Sequence, residues 1–299
     1  MKATFTNSIW LDLLGAQVRI GGGRYRGRYL EAGEGEPLIL LHGHGGHLEA
    51  FCRNVAAYAT RFHVFALDAC WHGLGPQPEF DPELLPVFVD HVLDFMDFQG
   101  LASAHVEGQS MGGWTALRLA HDHPGRVGRL VLTTPQGFAV DVAPGLLVGL
   151  PEPSGRPPVH GHYPYLDEPT FENTKERMVG LCADPSALSD ELIEIRRRFF
   201  AAPATNASLR QVALNYLGPP TNPSRHHLLD EDDLRRIQVP TLVYWGERNV
   251  VPPPYGERVA ELLPEAWFHC EPGVGHWAQY ESAEVHNREV LRFLTADDR

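Results

Sequence analysis

Cysteine and long apolar runs are both scarce in this sequence. Only 4 of 299 residues are cysteine, and these lie far apart at positions 52, 70, 182 and 270. This spacing argues against a disulfide framework or a cysteine-rich zinc site, and it favours free thiols in a reducing compartment. No apolar run reaches the length of a membrane span, so the sequence predicts no transmembrane helix.

Positive charge is also in deficit. The chain has 25 Lys and Arg against 38 Asp and Glu, a formal net charge of -13. Nucleic acids and anionic membranes both select basic surfaces, so neither is an expected partner. Residues 1–8 have neither the apolar stretch nor the small-residue cleavage site of a signal peptide. We therefore expect a cytoplasmic protein with a small-molecule substrate, and the sequence leaves a homo-oligomer open.

Strand-like and helix-like patterns alternate through much of the chain. With 43% apolar residues, 299 residues suffice for one large core, either as one domain or as one domain that carries an insertion. Continuous apolar runs at 37–41 and 127–132 are typical of strands buried on both faces. A hairpin across 21–23 precedes them, and a helix is expected over 48–59. The alternation predicts an α/β fold with a mostly parallel, doubly wound sheet.

The alternation stops between 137 and 233. A segment rich in proline and glycine (143–164) is followed there by three helical patterns, at 172–182, 189–200 and 207–217. We expect a helical lid over the carboxyl edge of the sheet, where substrates bind in such folds. The predicted division is a core of 1–136 and 234–299 with a lid of 137–233.

A sharp turn carries the first candidate catalytic residue. The sequence Gly-Gln-Ser-Met-Gly at 108–112 lies between an apolar run and a helical pattern. In such a strand-turn-helix arrangement the glycines allow a tight reversal that exposes the serine, here Ser110. The amide of Met111 would lie at the helix N-terminus and could donate to an oxyanion. Ser110 is therefore the predicted nucleophile.

The predicted base is His276. It stands in a loop just after the apolar run 267–270, late in a chain that has 16 histidines. In folds with this kind of turn the order along the chain is serine, acid, histidine, with the histidine after the last strand. Its position singles His276 out from the others.

A histidine- and glycine-rich loop follows the run 37–41. Its glycines would let the amides of Gly43 and His44 approach a ligand and complete an oxyanion hole. The alternative is a metal site at His42, His44 and His47, whose spacing is that of a metallo-β-lactamase-like motif. The aspartate expected before the third histidine is replaced by Gly46. We prefer the oxyanion loop and expect neither a metal nor another cofactor.

Three segments resemble a known family more closely than the fold alone requires. Residues 108–117, 190–196 and 275–281 resemble the meta-cleavage-product hydrolases, members of the α/β-hydrolase fold superfamily. Those enzymes break a carbon–carbon bond in 2-hydroxy-6-oxo-dienoates from aromatic ring degradation. The resemblance, which covers about 25–296, implies an α/β-hydrolase fold and cleavage of a similar diketone or dienoate. A carboxylesterase or lactonase is the alternative.

The resemblance also implies roles for two further residues. Arg196 would meet the carboxylate or dienolate of the substrate, for which its fixed charge and forked donors are suited. A surface arginine in a basic helix is an equal alternative. Trp277 would line the pocket, or else serve only in packing.

The sequence departs from the family where the catalytic acid is expected, since Asn249 stands there. An amide can orient a histidine but does not stabilise its cation as a carboxylate does. Either Asn249 suffices for an easily activated substrate, or another carboxylate such as Glu247 serves. A non-catalytic protein that binds a small ligand is a further alternative. Gln109, a candidate substrate-binding residue, and Ala50 replace family asparagines, which leaves the substrate open.

Overall fold

The computed structural model describes residues 8–140, 142, 162–216 and 223–296. Its sheet has eight strands in the order β1-β2-β4-β3-β5-β6-β7-β8. The strands are β1 Gln17–Gly21, β2 Gly27–Ala32, β3 Glu36–Leu41, β4 Phe62–Leu67, β5 Ala104–Gln109, β6 Val127–Thr133, β7 Thr241–Gly246 and β8 Ala266–Glu271. β2 pairs antiparallel with β1 and β4, and the other pairs are parallel. The predicted hairpin and mostly parallel sheet are confirmed.

Helices cover the sheet and form a separate group between β6 and β7. They are α1 Ile9–Asp12, α2 Val55–Tyr58, α3 Leu84–Phe98, α4 Met111–Asp122, α5 Pro164–Asp167, α6 Phe171–Val179, α7 Asp190–Ala201, α8 Pro203–Tyr216, α9 Glu231–Arg236, α10 Pro253–Leu262, α11 Ala278–Glu281 and α12 Ala283–Leu294. α4 packs on β5 and β6, and α10 packs on β7 and β8, while α5 to α8 pack on one another. The helical patterns expected between 172 and 217 correspond to α6, α7 and α8.

The core lies on both faces of the sheet. Along β3, Ile39 and Leu41 belong to one buried cluster, and Leu38 and Leu40 belong to the other. Successive side chains of a strand point to opposite faces, so a continuous apolar run fits a strand covered on both sides. The loops after the parallel strands therefore all leave one edge of a rigid sheet.

The prediction of a single helix over 48–59 is wrong. A 3-10 turn, Leu48–Phe51, and the short helix α2 occupy this segment instead. Its polar groups are fixed by distant partners: the Leu48 amide donates to Asp68 over 2.8 Å, and the Asn54 side chain donates to the Gln279 carbonyl over 2.8 Å. Such tertiary contacts override the local helical preference.

Two chain segments connect the sheet with the helices α5 to α8. They are joined by an isolated β-bridge between Phe138 and Leu229. Part of the expected lid (141, 143–161 and 217–222) lies outside the described residues. The division into a core and a lid of 137–233 therefore stays a prediction.

All four cysteines are free thiols, as expected from their spacing. Three of them are buried, and Cys270 is half-buried. Over the described ranges, no helix is both long enough and apolar enough to cross a membrane.

Candidate active site

Ser110 stands at the sharp turn predicted between β5 and α4. Its backbone has φ 55° and ψ −114°, a conformation that costs energy for any residue with a side chain. A Cβ on Gly108 would lie 2.3 Å from the Gly112 oxygen, and one on Gly112 would lie 2.1 Å from the Leu41 oxygen. Only glycine allows strand, turn and helix to pack this closely. The turn thus presents Ser110 at the carboxyl edge of the sheet.

Hydrogen bonds fix the Ser110 backbone. The Ser110 amide donates to the Thr133 carbonyl over 3.1 Å, and the Gln136 amide donates to the Ser110 carbonyl over 3.1 Å. Tyr216, at the end of α8, donates its hydroxyl to the side-chain oxygen of Gln136. Tyr216 also lines the cavity that contains Ser110. A residue from the helices above the sheet is thus linked through Gln136 to the candidate nucleophile.

His276 lies in the loop after β8 and is oriented by Asn249. Its Nδ1 is 2.9 Å from Oδ1 of Asn249, and both side chains are buried. With the amide in this orientation Nδ1 carries the proton, so the Nε2 lone pair is left to accept one. Glu247 is exposed and accepts from the Gly273 amide over 2.8 Å. Asn249, and not Glu247, therefore occupies the orienting position.

His276 is held neutral. Burial lowers its pKa to about 3, and the positive charge of Arg177 adds to this effect. A carboxylate in the place of Asn249 would favour the protonated ring, but an amide carries no charge to do so. The ring is therefore uncharged at neutral pH, and it is a weaker base than a histidine beside an aspartate.

The loop that carries His276 is tied to the centre of the sheet. The His276 carbonyl accepts from the Thr134 hydroxyl over 2.7 Å and from the Gln109 side-chain amide over 3.2 Å. Thr134 itself has a φ of 43°, in the left-handed region. Gln109, expected among the substrate-binding residues, lines the cavity and also links the strand before Ser110 to the His276 loop.

The glycine-rich loop after β3 passes in contact with Ser110. A Cβ on Gly43 would lie 3.0 Å from Cβ of Ser110 and 2.4 Å from Oε1 of Gln109, so the loop backbone packs closely against both residues. Gly43 and His44 line the same cavity as Ser110. Met111 is the first residue of α4, directly after the serine. These three residues, the candidates for an oxyanion hole, thus lie around Ser110.

The three histidines of this loop do not converge. The ring of His42 lies between two backbone groups, a carbonyl 2.8 Å and an amide 3.0 Å away. His47 contacts Glu49 over 2.7 Å, and His44 stacks on Tyr216 with 5.2 Å between ring centroids. Within the described ranges, no three histidine, cysteine or acidic side chains are grouped to hold a metal.

A buried ionic network leads from the sheet to Arg196. Arg28 in β2 contacts Glu49 over 2.7 Å and Asp68 over 2.7 Å. Glu49 also binds His47, whose Nε2 lies 3.4 Å from Nε of Arg196. Burial acts to raise the pKa of Glu49, but the contacts with His47 and Arg28 lower it overall. The network holds His47 at the inner end of Arg196.

Arg196 is 2% exposed, so its interpretation as a surface arginine is wrong. Its guanidinium lies 4.8 Å from the ring centroid of Trp277, and both residues line the cavity that contains Ser110. Burial, followed by the charge of Arg177, lowers the pKa of Arg196 to about 9. The side chain therefore remains a cation at neutral pH. Trp277 both packs against the core and lines the cavity, so its two interpretations hold together.

The wall of the cavity includes Ser110, His276, Arg196 and Trp277. Arg177 and Tyr216 are among the residues of its wall that sequence reasoning missed. No motif marks either one, because a helical pattern does not reveal which neighbour a given face will meet. Ala50, considered as a loop position near the substrate, belongs to the buried core instead.

Comparison with known proteins agrees with this geometry. The family described as the alpha/beta hydrolase fold matches residues 36–283. A 2-hydroxy-6-oxononadienedioate/2-hydroxy-6-oxononatrienedioate hydrolase from Paraburkholderia phymatum is 32% identical over an alignment of 289 positions that covers 92% of each chain. A 2-hydroxy-6-oxo-6-phenylhexa-2,4-dienoate hydrolase from Burkholderia cepacia is 29% identical and covers 88% of this chain and 89% of its own.

Solved structures give the same result. A serine hydrolase involved in carbazole degradation, CarC, superimposes with a TM-score of 0.77 at 27% identity, over 94% of this chain and 99% of its own. The meta-cleavage product hydrolase CumD from Pseudomonas fluorescens IP01 superimposes with a TM-score of 0.76 at 27% identity, over 93% of this chain and 97% of its own. The chain therefore belongs to the α/β-hydrolase family and is a hydrolase.

Proposed function

We propose that this hydrolase cleaves a carbon–carbon bond beside a carbonyl group in a 2-hydroxy-6-oxo-dienoate-like substrate, with no cofactor. The observation that carries the proposal is that Ser110, His276 and the buried cation Arg196 face one cavity. Serine and histidine suit addition to a carbonyl, and a buried guanidinium suits a carboxylate or dienolate. The relatives named above are hydrolases of such dienoates.

The reaction begins when Nε2 of His276 accepts the Ser110 proton and Oγ adds to the substrate carbonyl carbon. The amides of Gly43, His44 and Met111 surround the oxyanion. The carbon–carbon bond then breaks, and its electron pair passes to the conjugated fragment, which takes the proton from His276. Water next cleaves the acyl-serine. The sum is one water consumed and one carboxylic acid formed beside the protonated fragment.

Asn249 is compatible with this chemistry. A fragment that delocalises its electron pair leaves more readily than an amine or alkoxide, so the base needs less help from a carboxylate. The contact between Asn249 and Nδ1 of His276 keeps Nε2 free to accept a proton. This arrangement favours turnover over the alternative of a non-catalytic ligand-binding protein.

Arg196 favours carbon–carbon cleavage over simple ester or lactone hydrolysis. A neutral ester gives no reason to keep a cation in the cavity wall, because a buried charge without a partner is costly. An anionic keto acid would supply that partner. We also propose that α5 to α8 form the lid of this site and that the enzyme works in the cytoplasm, where its thiols stay reduced.

The proposal is tested with one ring-cleavage dienoate and a set of short p-nitrophenyl esters. We expect the dienoate to be the better substrate and Arg196→Met to lower its kcat/KM about 100-fold, with a smaller effect on the esters. Arg198→Met is the matched control, because Arg198 is 75% exposed on the same helix and pairs with Glu194. Faster turnover of esters, unaffected by Arg196→Met, would overturn the proposal.

A further inference from the structure

We propose that His47 is a positioning residue, which fixes the guanidinium group of Arg196 in the orientation that receives an anion. The inference rests on the proposed function, because it takes Arg196 as the residue that meets the anionic group of the substrate. His47 is buried in the loop after β3, whereas Arg196 lines the cavity that contains Ser110. The effect of His47 on a substrate therefore passes through Arg196.

The contact between the two residues joins the core sheet to α7. Nε of Arg196 donates to Nε2 of His47 over 3.4 Å, and both side chains are buried. Phe199 follows Arg196 by three residues and so lies on the same face of the helix. Its ring centroid lies 5.0 Å from that of His47. One face of α7 thus meets His47 through two side chains.

Glu49 decides which ring nitrogen of His47 carries the proton. Its Oε2 lies 2.7 Å from Nδ1 of His47, and the same carboxylate accepts from Arg28 over 2.7 and 2.8 Å. Burial acts to raise the pKa of Glu49, but these contacts lower it overall, so the ionised group only accepts hydrogen bonds. Burial also lowers the pKa of His47, which keeps the ring neutral. Nδ1 therefore carries the proton, and the lone pair of Nε2 is left for Arg196.

The contact with His47 also selects the edge of Arg196 that is left for a ligand. A guanidinium binds a carboxylate through two parallel donors, either Nε with Nη2 or Nη1 with Nη2. Nε donates to His47, and Nη2 is buried without a hydrogen-bond partner among the described residues. The guanidinium carbon lies 4.8 Å from the ring centroid of Trp277, which further restricts the group. The geometry thus leaves the edge formed by Nη1 and Nη2 for an anion in the cavity.

A neutral histidine orients a buried cation without cancelling its charge. Arg28 shows the other solution, because it is neutralised by the carboxylates of Glu49 and Asp68. At Arg196 the ring of His47 stands between Glu49 and the guanidinium, so the cation receives an uncharged acceptor instead. A direct ion pair would consume the charge that a substrate anion needs. His47 therefore suits an arginine that must stay available to a ligand.

Asparagine and glutamine separate the two contacts of His47. An asparagine amide nitrogen takes the place of Nδ1 and can donate to Glu49, but asparagine has no atom at the place of Nε2. A glutamine amide oxygen takes the place of Nε2 and can accept from Arg196. His47→Asn therefore removes the contact with Arg196, and His47→Gln removes the contact with Glu49.

The test measures by calorimetry how Ser110→Ala protein binds hexanoate and its neutral analogue hexanamide. We expect hexanoate to bind at least about tenfold more tightly, and Arg196→Met to abolish this preference. His47→Asn should reduce the preference to about threefold or less, whereas His47→Gln should retain most of it. His63→Asn is the matched control, because His63 makes the same kind of contact with Glu31, over 2.8 Å, where both side chains are partly exposed. No preference for hexanoate, or equal preferences in His47→Asn and His47→Gln, would overturn the inference.

Turnover separates this inference from the proposed function. We expect His47→Asn to raise KM for the ring-cleavage dienoate about tenfold, to change kcat about threefold or less, and to have no further effect when added to Arg196→Met. A loss with Arg196→Met but none with His47→Asn would leave the proposed function standing and refute the positioning role. Cleavage of esters alone, with a hexanoate preference that still depends on His47, would do the reverse.

Discussion

Oδ1 of Asn249 lies 2.9 Å from Nδ1 of His276, where a serine-histidine-aspartate triad has its carboxylate. We expect Asn249→Ala to lower kcat on a dienoate about 100-fold, because the ring loses the partner that fixes its tautomer. Asn249→Asp should keep the orientation and add a negative charge beside the ring. Steady-state kinetics with both variants measures the two contributions, and an unchanged kcat in Asn249→Ala would show that the contact is not used.

The pH dependence of kcat/KM follows from the low pKa of His276. Burial and the charge of Arg177 lower it to about 3, so the ring stays uncharged as pH falls from 8 to 5. We expect no loss of kcat/KM over this range from His276, once the ionisation of the substrate itself has been subtracted. Asn249→Asp should raise the pKa and bring an acid limb into the range. A fall in the kcat/KM of the wild type centred near pH 6.5 would contradict the low pKa of His276.

The ionic network behind Arg196 predicts a stability effect. Glu49 accepts from Arg28 and His47 in the protein interior, and its loss would leave Arg28 without one of its two buried partners. We expect Glu49→Gln to lower the free energy of unfolding by about 3 kcal/mol. Glu194→Gln, on the surface, should cost less than about 1 kcal/mol. Denaturant titration of both variants makes the comparison, and equal effects would mean that the network contributes no more than a surface pair.

The turn at Ser110 requires glycine at a defined place. A Cβ on Gly112 would lie 2.1 Å from the backbone oxygen of Leu41, which cannot move aside as a flexible side chain could. We expect Gly112→Ala to give a protein that is inactive or fails to fold. Gly125→Ala is the matched control, because nothing lies within 4 Å of a Cβ there. Expression yield, thermal unfolding and activity are compared, and a fully active Gly112→Ala enzyme would contradict the packing described.

Much of the fold and of the candidate site could be predicted from local sequence patterns. The strand β3 could be predicted because its apolar run has no polar residue to expose, and the turn at Ser110 because its glycines and serine are contiguous. The sequence pattern predicts the start of α8 too late, at 207. The helix begins at Pro203, and proline suits the first position of a helix. These features depend on neighbours in the sequence, where pattern analysis works best.

The rest depends on contacts between distant elements. Arg177 and Tyr216 enter the cavity because α6 and α8 turn one face toward Ser110, and no residue spacing in the sequence states that orientation. The choice between Asn249 and Glu247 likewise required knowing which side chain of one loop points inward. The split of 48–59 into two short pieces follows from hydrogen bonds to residues far along the chain.

The most direct measurement follows the visible absorbance of a 2-hydroxy-6-oxo-dienoate in ¹⁸O-labelled water, with wild-type enzyme and with Ser110→Ala. We expect wild type to bleach the substrate and release a carboxylic acid that carries one ¹⁸O atom, and Ser110→Ala to be at least about 10³-fold slower. Bleaching by Ser110→Ala at a rate near that of wild type would contradict the assignment of Ser110 as the nucleophile of a carbon–carbon hydrolase.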